Sequence, residues 1–170
     1  MGKGGGMWWK NPNFVLHNRH KHKMRFTGTI EAKLDAKGRV FLPSAFRKVL
    51  ELAQEEVLYI RKDDFENCLT LYPSSVWNAR VDLLRAKMNP FSREDKNTFR
   101  QYVMNVEEVK LDGNGRFLIS KKMLEMAGLK QTVNFIGYDD VVEIWCPENQ
   151  ENVNQEPDEY SASLQNLMKD

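Results

Sequence analysis

The chain has 170 residues, 41% of them hydrophobic, which is enough apolar material for one ordinary domain or two small repeated ones. Its net charge of +1 is too small for nucleic acid to be held by overall charge, so such binding would need a local basic cluster or several subunits acting together. All three histidines lie within residues 1–23, which leaves the rest of the chain without the commonest general base and metal ligand and disfavours an enzyme.

Residues 1–23 carry a glycine run and basic residues but no hydrophobic periodicity and no signal-peptide core. We expect a disordered leader, either an upstream extension or a segment added to the natural chain, with Met24 as the functional start. No segment of the sequence approaches the roughly 18 consecutive apolar residues of a membrane span, so no membrane is expected as a partner.

The first repeat, residues 24–73, contains strand, turn and helix signals in a definite order. The segment "TGTIEAKL" alternates apolar and polar residues as an edge strand does, "DAKG" is a turn, and "RVFL" is a short apolar strand. Pro43 then begins a helix, "PSAFRKVLEL", because the first helical amide needs no partner. Two further strands, "EVLYI" and "CLTLY", are predicted on either side of a polar loop.

Residues 74–106 have the periodicity of helices and form a predicted helical connection. The segment "SSVWNARVDLLRAKM" places its apolar residues on one face, and Asn89 and Pro90 end this helix. A second helix begins at Ser92, whose hydroxyl can cap the free amides of the first turn. Its apolar residues keep helical spacing, so we expect them to pack in the core rather than stack on bases: Phe99, Tyr102, Val103 and Val106. The basic residues of the pair are expected to form an ordinary solvated surface: Arg80, Arg85, Arg93, Lys96 and Arg100.

The second repeat, residues 107–147, follows the same order of signals. The strand "VEEVKL" leads into the turn "DGNG", the strand "RFLI", a helix from Ser120 to Gly128, and the strands "TVNFI" and "VVEIW". The stretch "KLDGNGRFLIS" is a near-copy of "KLDAKGRVFLP" in the first repeat, with Asp, Gly and Arg at one constant offset, which indicates an internal duplication. Residues 148–170 hold six acidic residues and one basic residue, and we expect an acidic mobile tail with a final helix near "YSASLQNLMKD".

The repeated turn explains its Asp and Gly residues without any function. A carboxylate at the start of a turn accepts hydrogen bonds from the turn's own amides, and glycine adopts a backbone conformation closed to other residues. The predicted turn-forming residues are Asp35, Gly38, Asp112 and Gly115. Turn geometry places no demand on Arg39 or Arg116, whose guanidinium forks suit a phosphate or a guanine base. An ion pair with the turn's own Asp is the alternative explanation.

From Met24 to Pro147 the chain resembles the MraZ family, a two-repeat branch of the SpoVT/AbrB-like DNA-binding proteins. The resemblance depends on the start "MRFTGTIEAKLDAKGRVFLPSAFR", the helices around "NPFSREDKNTFRQYV", and the two Asp-x-x-x-Arg motifs in register. It implies an α+β fold that is mainly β, in which two tandem AbrB-like repeats form one swapped-hairpin (double-split) β-barrel with the helical pair beside it. It also implies a homo-oligomer in the form of a ring.

The function implied by this resemblance is sequence-specific transcription regulation, with no enzyme activity, no cofactor and no small-molecule substrate. The partner would be double-stranded DNA, bound at short direct repeats upstream of a division and cell-wall gene cluster that includes the protein's own gene. Such a regulator would be cytoplasmic and nucleoid-associated. The residues expected to contact DNA are Arg39, Arg116, Lys37, Lys33, Lys110 and Arg47. Because the second repeat has Ser120 and Leu124 where the first has Pro43 and Arg47, we expect the first turn to bind DNA better.

Two other classes of function remain open on the sequence. A ring-forming protein-interaction scaffold with no DNA specificity would bind its partner through the acidic tail or the helical pair, and its affinity need not fall steeply with salt. A hydrolase using Asp35 or Asp112 is disfavoured, because neither has a second carboxylate at a matching spacing. Cys68 and Cys146 form no CxxC pair, so we expect buried hydrophobic side chains of a reducing cytoplasm and no metal site.

Overall fold

The computed structural model describes residues 23–169, so the predicted leader lies almost entirely outside the described residues. The strands are β1 (Thr29–Lys33), β2 (Arg39–Phe41), β3 (Val57–Lys62), β4 (Cys68–Pro73), β5 (Val106–Lys110), β6 (Arg116–Leu118), β7 (Thr132–Tyr138) and β8 (Val141–Trp145). The helices are α1 (Ser44–Ala53), α2 (Ser74–Lys87), α3 (Arg93–Met104), α4 (Lys121–Met126), α5 (Pro147–Glu151) and α6 (Pro157–Leu167). In this described range, no helix is long and apolar enough to cross a membrane.

The strands of the two repeats interleave. Six strands form an antiparallel sheet in the order β1-β7-β8-β4-β3-β5, and β2 and β6 form a separate antiparallel ribbon. Strand β1 of the first repeat pairs with β7 of the second, and β5 of the second pairs with β3 of the first. The ribbon also takes one strand from each repeat, and it contacts the edge strands β1 and β5. The predicted α+β fold, built from two interleaved repeats, is confirmed.

Local sequence explains where the helices begin and end. The Ser92 hydroxyl accepts a hydrogen bond from the Asp95 amide at 3.2 Å, and Ser120 caps α4 in the same way through the Met123 amide. Helix α4 ends before Gly128, which has a φ of 62° that favours glycine. Each strand and helix predicted within the two repeats is present to within two residues at either end, whereas the short helix α5 was not predicted.

The main core lies between the sheet, the ribbon and helices α1 and α4. Its fully buried side chains come from both repeats and include Phe26, Phe46, Ile60, Ile119, Met123, Phe135 and Ile144. The central ribbon residues Val40 and Phe117 also face inward, at 1% and 2% exposure. Both cysteines are buried free thiols, as predicted for small hydrophobic residues.

The helical pair, α2 and α3, is covered less than its sequence predicts. Trp77 of α2 is buried and stacks on Tyr102 of α3, with ring centroids 5.4 Å apart and planes inclined by 6°. Tyr102 therefore packs against another aromatic side chain of the protein, as its helical spacing predicts. However, α3 has no buried residue, and Phe99 and Val103 are only half-buried. The reason is that α2 contacts β3 and β4, whereas α3 is supported mainly by α2.

A buried arginine connects the helical pair to the sheet. The Arg61 guanidinium lies 4.2 Å from the centroid of the Tyr102 ring and donates two hydrogen bonds to the Asp64 carboxylate, each of 2.8 Å. Burial alone would lower the pKa of Arg61, but the hydrogen bonds and charge of Asp64 raise it overall. Arg61 is therefore a permanent cation whose charge is balanced by Asp64.

We expect Asp64→Ala to lower the free energy of unfolding by about 1–3 kcal/mol, because it leaves the Arg61 charge buried without a partner. Urea denaturation followed by circular dichroism measures this change. Asp140→Ala is the matched control, since it removes the exposed ion pair with Arg80 and should cost less than about 1 kcal/mol. Equal losses in the two variants would show that Asp64 does not stabilise the buried charge.

Candidate nucleic-acid interface

The first Asp-x-x-x-Arg turn is held by a single carboxylate. Asp35 Oδ1 accepts hydrogen bonds from the Lys37 and Arg39 amides, both at 2.9 Å, and Oδ2 accepts one from Arg39 Nε at 2.7 Å. The backbone closes the turn through Gly38, which has a φ of 83° and donates to the Asp35 carbonyl. The hydrogen bond from the Arg39 amide is the largest cause that lowers the pKa of Asp35, so this carboxylate stays ionised at neutral pH.

The second turn repeats this arrangement. Asp112 Oδ1 accepts hydrogen bonds from the Asn114 and Arg116 amides at 2.8 and 2.9 Å, and Oδ2 accepts one from Arg116 Nε at 2.9 Å. The Arg116 amide likewise lowers the pKa of Asp112. In both turns the Asp binds the arginine only through Nε, and the described residues provide no acceptor for the terminal nitrogens. Each arginine is therefore oriented by its Asp and keeps its terminal fork available for a ligand.

The β2–β6 ribbon brings the two half-buried arginines onto one face, on the side away from the core. Its register aligns Arg39 with Leu118 and Arg116 with Phe41. Because the central pair of the ribbon faces the core, these four residues occupy the opposite face, where Phe41 and Leu118 are each 54% exposed. The arginines are diagonal neighbours, about 7–8 Å apart in a typical antiparallel ribbon. We call these four residues the ribbon face.

Hydrogen bonds between the repeats fix both turns to the ribbon. The Leu42 amide donates to the Gly115 carbonyl at 3.0 Å, and the Ile119 amide donates to the Gly38 carbonyl at 2.9 Å. A Cβ atom at Gly38 would lie 2.8 Å from the Ile119 carbonyl oxygen, which is too close for any larger residue. The predicted turn-forming role of the Asp and Gly residues thus has a clear geometric basis, and each turn depends on the other repeat.

Arg47 lies at the turn of the opposite repeat. It belongs to α1 of the first repeat, but its half-buried side chain covers Gly115, where a Cβ atom would collide with the guanidinium. The equivalent residue of the second repeat, Leu124, lies over Gly38. The charge of Arg47 therefore lies at the second turn, although the sequence pattern assigned it to the first turn.

The three lysines singled out by the sequence lie close to the turns in the chain and are exposed. Lys33 ends β1, two residues before the first Asp, and Lys37 lies inside the first turn. Lys110 ends β5 before the second turn, but its Nζ lies 3.5 Å from the Glu108 carboxylate. Within residues 23–169, Lys33 and Lys37 have no comparable carboxylate partner, so the first turn keeps more of its lysine charge.

Cys68 lies near the carboxylates of Asp63 and Glu143, a grouping that the sequence analysis did not predict. The ligand atoms of Asp63, Cys68 and Glu143 lie within 4.8 Å of one another. Asp63 Oδ1 accepts hydrogen bonds from two amides of its own loop, and Glu143 accepts one from Trp145 Nε1 at 2.8 Å. Burial raises the pKa of the Cys68 thiol, which keeps it protonated. These hydrogen bonds explain the positions of both carboxylates without a ligand.

The model of one protein family, described as "MraZ protein, putative antitoxin-like", matches the chain twice, at residues 25–101 and 102–168. A Phocaeicola vulgatus protein named "Transcriptional regulator MraZ" is 48% identical over 145 residues, which cover 85% of this chain and 94% of the relative. A Bacteroides fragilis protein of the same name is 46% identical over 147 residues, or 86% and 93% of the two chains. A similarly named protein from Pseudomonas savastanoi pv. phaseolicola is 33% identical over 123 residues, or 71% and 79%.

Proposed function

The chain belongs to the MraZ family, and from this premise we propose that it is a DNA-binding transcriptional regulator that reads DNA with the ribbon face. Its relatives are named as transcriptional regulators, which is a non-enzymatic role. The observation that carries the proposal is the pair of arginines on the ribbon face, each bound through Nε by a turn carboxylate. A guanidinium fixed in this way can donate two parallel hydrogen bonds from its terminal nitrogens to guanine O6 and N7.

The shape of the ribbon face supports readout in the major groove. A two-stranded β-ribbon fits the B-DNA major groove, and exposed apolar side chains can contact thymine methyl groups there. Phe41 and Leu118 occupy such positions beside the two arginines. Lys33, Lys37, Lys110 and Arg47 would then contact the phosphate backbone, which positions the ribbon without reading sequence.

We propose that several copies of the chain assemble into a ring and present their ribbons to short direct repeats of DNA. One copy carries a net charge of only +1 and one ribbon face, so its own affinity for DNA would be low. Linking many such faces raises the overall affinity by effective concentration alone. The sites would lie upstream of a division and cell-wall gene cluster containing the protein's own gene, which makes the regulator cytoplasmic and nucleoid-associated.

The natural protein should bind a DNA fragment from upstream of its own gene more tightly than a scrambled fragment in fluorescence anisotropy. Because phosphate contacts release counterions, affinity for both fragments should fall steeply between about 50 and 200 mM salt, by a factor that grows with each phosphate contact. Light scattering under the same conditions should report a multimer. Equal affinity for the two fragments, with weak salt dependence, would overturn the proposal and favour a scaffold that binds proteins.

A further inference from the structure

The helical pair carries a basic groove that lies outside the ribbon face. The two helices of the helical pair form an open groove of about 660 Å³. The groove lies on the side of the pair away from Arg61. We call it the helix-pair groove, and it is lined by Arg85, Met88, Pro90, Lys96, Phe99, Arg100 and Val103. Its apolar residues Met88, Phe99 and Val103 are only half-buried, so this part of the helical pair remains incompletely covered.

The charged side chains that line the helix-pair groove are all basic. Arg85, Lys96 and Arg100 border the apolar residues, and the described part of the chain places no carboxylate oxygen within 4.0 Å of these three side chains. The Arg85 guanidinium lies 6.0 Å from the centroid of the Phe99 ring, and Arg100 donates a hydrogen bond to Asn97. An apolar groove bordered by cations suits an acidic amphipathic helix better than a DNA backbone, which is contacted mainly through its charged phosphate oxygens.

The C-terminal helix α6 has the complementary pattern. Asp158 and Glu159 lie in its first turn, where the helix dipole favours negative charge. Tyr160, Leu164 and Leu167 follow at spacings of four and three residues, which places them on one face, and they are 56%, 44% and 83% exposed. No residue of α6 is buried by the rest of residues 23–169. The helix therefore presents an acidic end and an apolar face that its own chain leaves uncovered.

We propose that α6 of one copy of the chain binds in the helix-pair groove of a second copy. In this contact Tyr160, Leu164 and Leu167 cover the apolar groove residues, and the acidic first turn meets the three cations. The helix and the groove are different surfaces of one chain, so the contact is head-to-tail and closes into a ring when the rotation between copies allows it. The inference rests on the homo-oligomer proposed above and names the contact that holds it together.

Disulfide trapping between two co-expressed chains tests this contact. One chain carries Met88→Cys in the groove and the other Ser163→Cys on the apolar side of α6, while both natural cysteines are buried. We expect a species of twice the chain mass that disappears on reduction. Ala162→Cys lies on the opposite side of α6 and should give no such species. A disulfide that forms only within a chain carrying both substitutions would overturn the proposal, because α6 would then bind its own groove.

Charge reversal separates this inference from the proposed function. Lys96→Glu with Arg100→Glu, or Asp158→Lys with Glu159→Lys, should each raise the concentration of half-dissociation in light scattering by about tenfold. Combining all four changes should restore assembly, because the pairs are re-formed with opposite signs. If all variants assemble and bind promoter DNA as the natural chain does, the contact is wrong and the proposed function stands. If the groove variant assembles as the natural chain does but loses DNA affinity, the groove binds DNA and the contact is wrong. A natural chain that is monomeric would overturn both the contact and the ring on which it rests.

Discussion

Arg39→Ala and Arg116→Ala should each weaken binding to the natural fragment, from upstream of the protein's own gene, by about 10- to 100-fold, because each would remove the bidentate guanine contact proposed for that arginine. The carboxylate that binds each Nε already orients the guanidinium, so little side-chain entropy is lost when DNA binds. In an assembly the loss recurs at every copy that touches DNA. We expect comparable losses at the two arginines, because they occupy equivalent positions on the ribbon face and Lys37 at one turn is balanced by Arg47 at the other.

Fluorescence anisotropy with the natural and scrambled fragments, at two salt concentrations, measures this effect. Both variants should lose the preference for the natural fragment, whereas loss of a pure phosphate contact would weaken all DNA alike. Arg93→Ala is the matched control, because Arg93 lies on α3 outside the ribbon face and should keep both affinity and preference. Circular dichroism should show that all three variants remain folded. If Arg39→Ala and Arg116→Ala both kept the affinity and the fragment preference of the natural chain, the turns would have only a structural role.

A chain of residues 23–73, the first repeat alone, should show no cooperative unfolding transition. It would lose β7 beside β1, β5 beside β3, β8 beside β4, and β6 beside β2, so each of its strands loses a partner. It would also lose the half of the core that the second repeat supplies, including Phe117, Phe135 and Ile144. A domain of this size is marginal even with a complete core, so an incomplete one should not fold.

Thermal melting followed by circular dichroism measures this loss, with residues 23–169 as the control. Mixing residues 23–73 with residues 74–169 should restore a cooperative transition, because every strand pair between the repeats is then available again. Analytical ultracentrifugation should show the two fragments together in the restored species. A stable, monomeric first repeat would show that the exchanged strands are not needed for folding.

The two helices of the helical connection were predictable from sequence, but the extent to which the rest of the chain buries their apolar faces was not. The 3.6-residue spacing of apolar residues predicts both helices, and Ser92 predicts where α3 begins. The same spacing also predicts a buried face, yet Phe99 and Val103 are only half-buried. Periodicity reports which side of a helix is apolar, and it carries no information on whether another part of the chain covers that side.

The sequence by itself determined the strands, the helices and the internal geometry of both turns, since these depend on residues close together in the chain. A period of two predicts a strand, Pro43 begins a helix, and Asp35 with Gly38 defines a turn, because each rule concerns bonds and contacts within a few residues. The constant offset of the two motifs also revealed the duplication. The resemblance to the MraZ family then implied that strands of the two repeats interleave.

Only the tertiary structure decided which strands exchange and what each turn faces. The ribbon register places Arg39 and Arg116 on one face, and α1 places Arg47 over the turn of the other repeat. These contacts join residues far apart in the chain, and every strand offers the same backbone donors and acceptors to any partner. Pairing and register are therefore selected by the burial of the whole core, to which both repeats contribute, and no local pattern contains that choice.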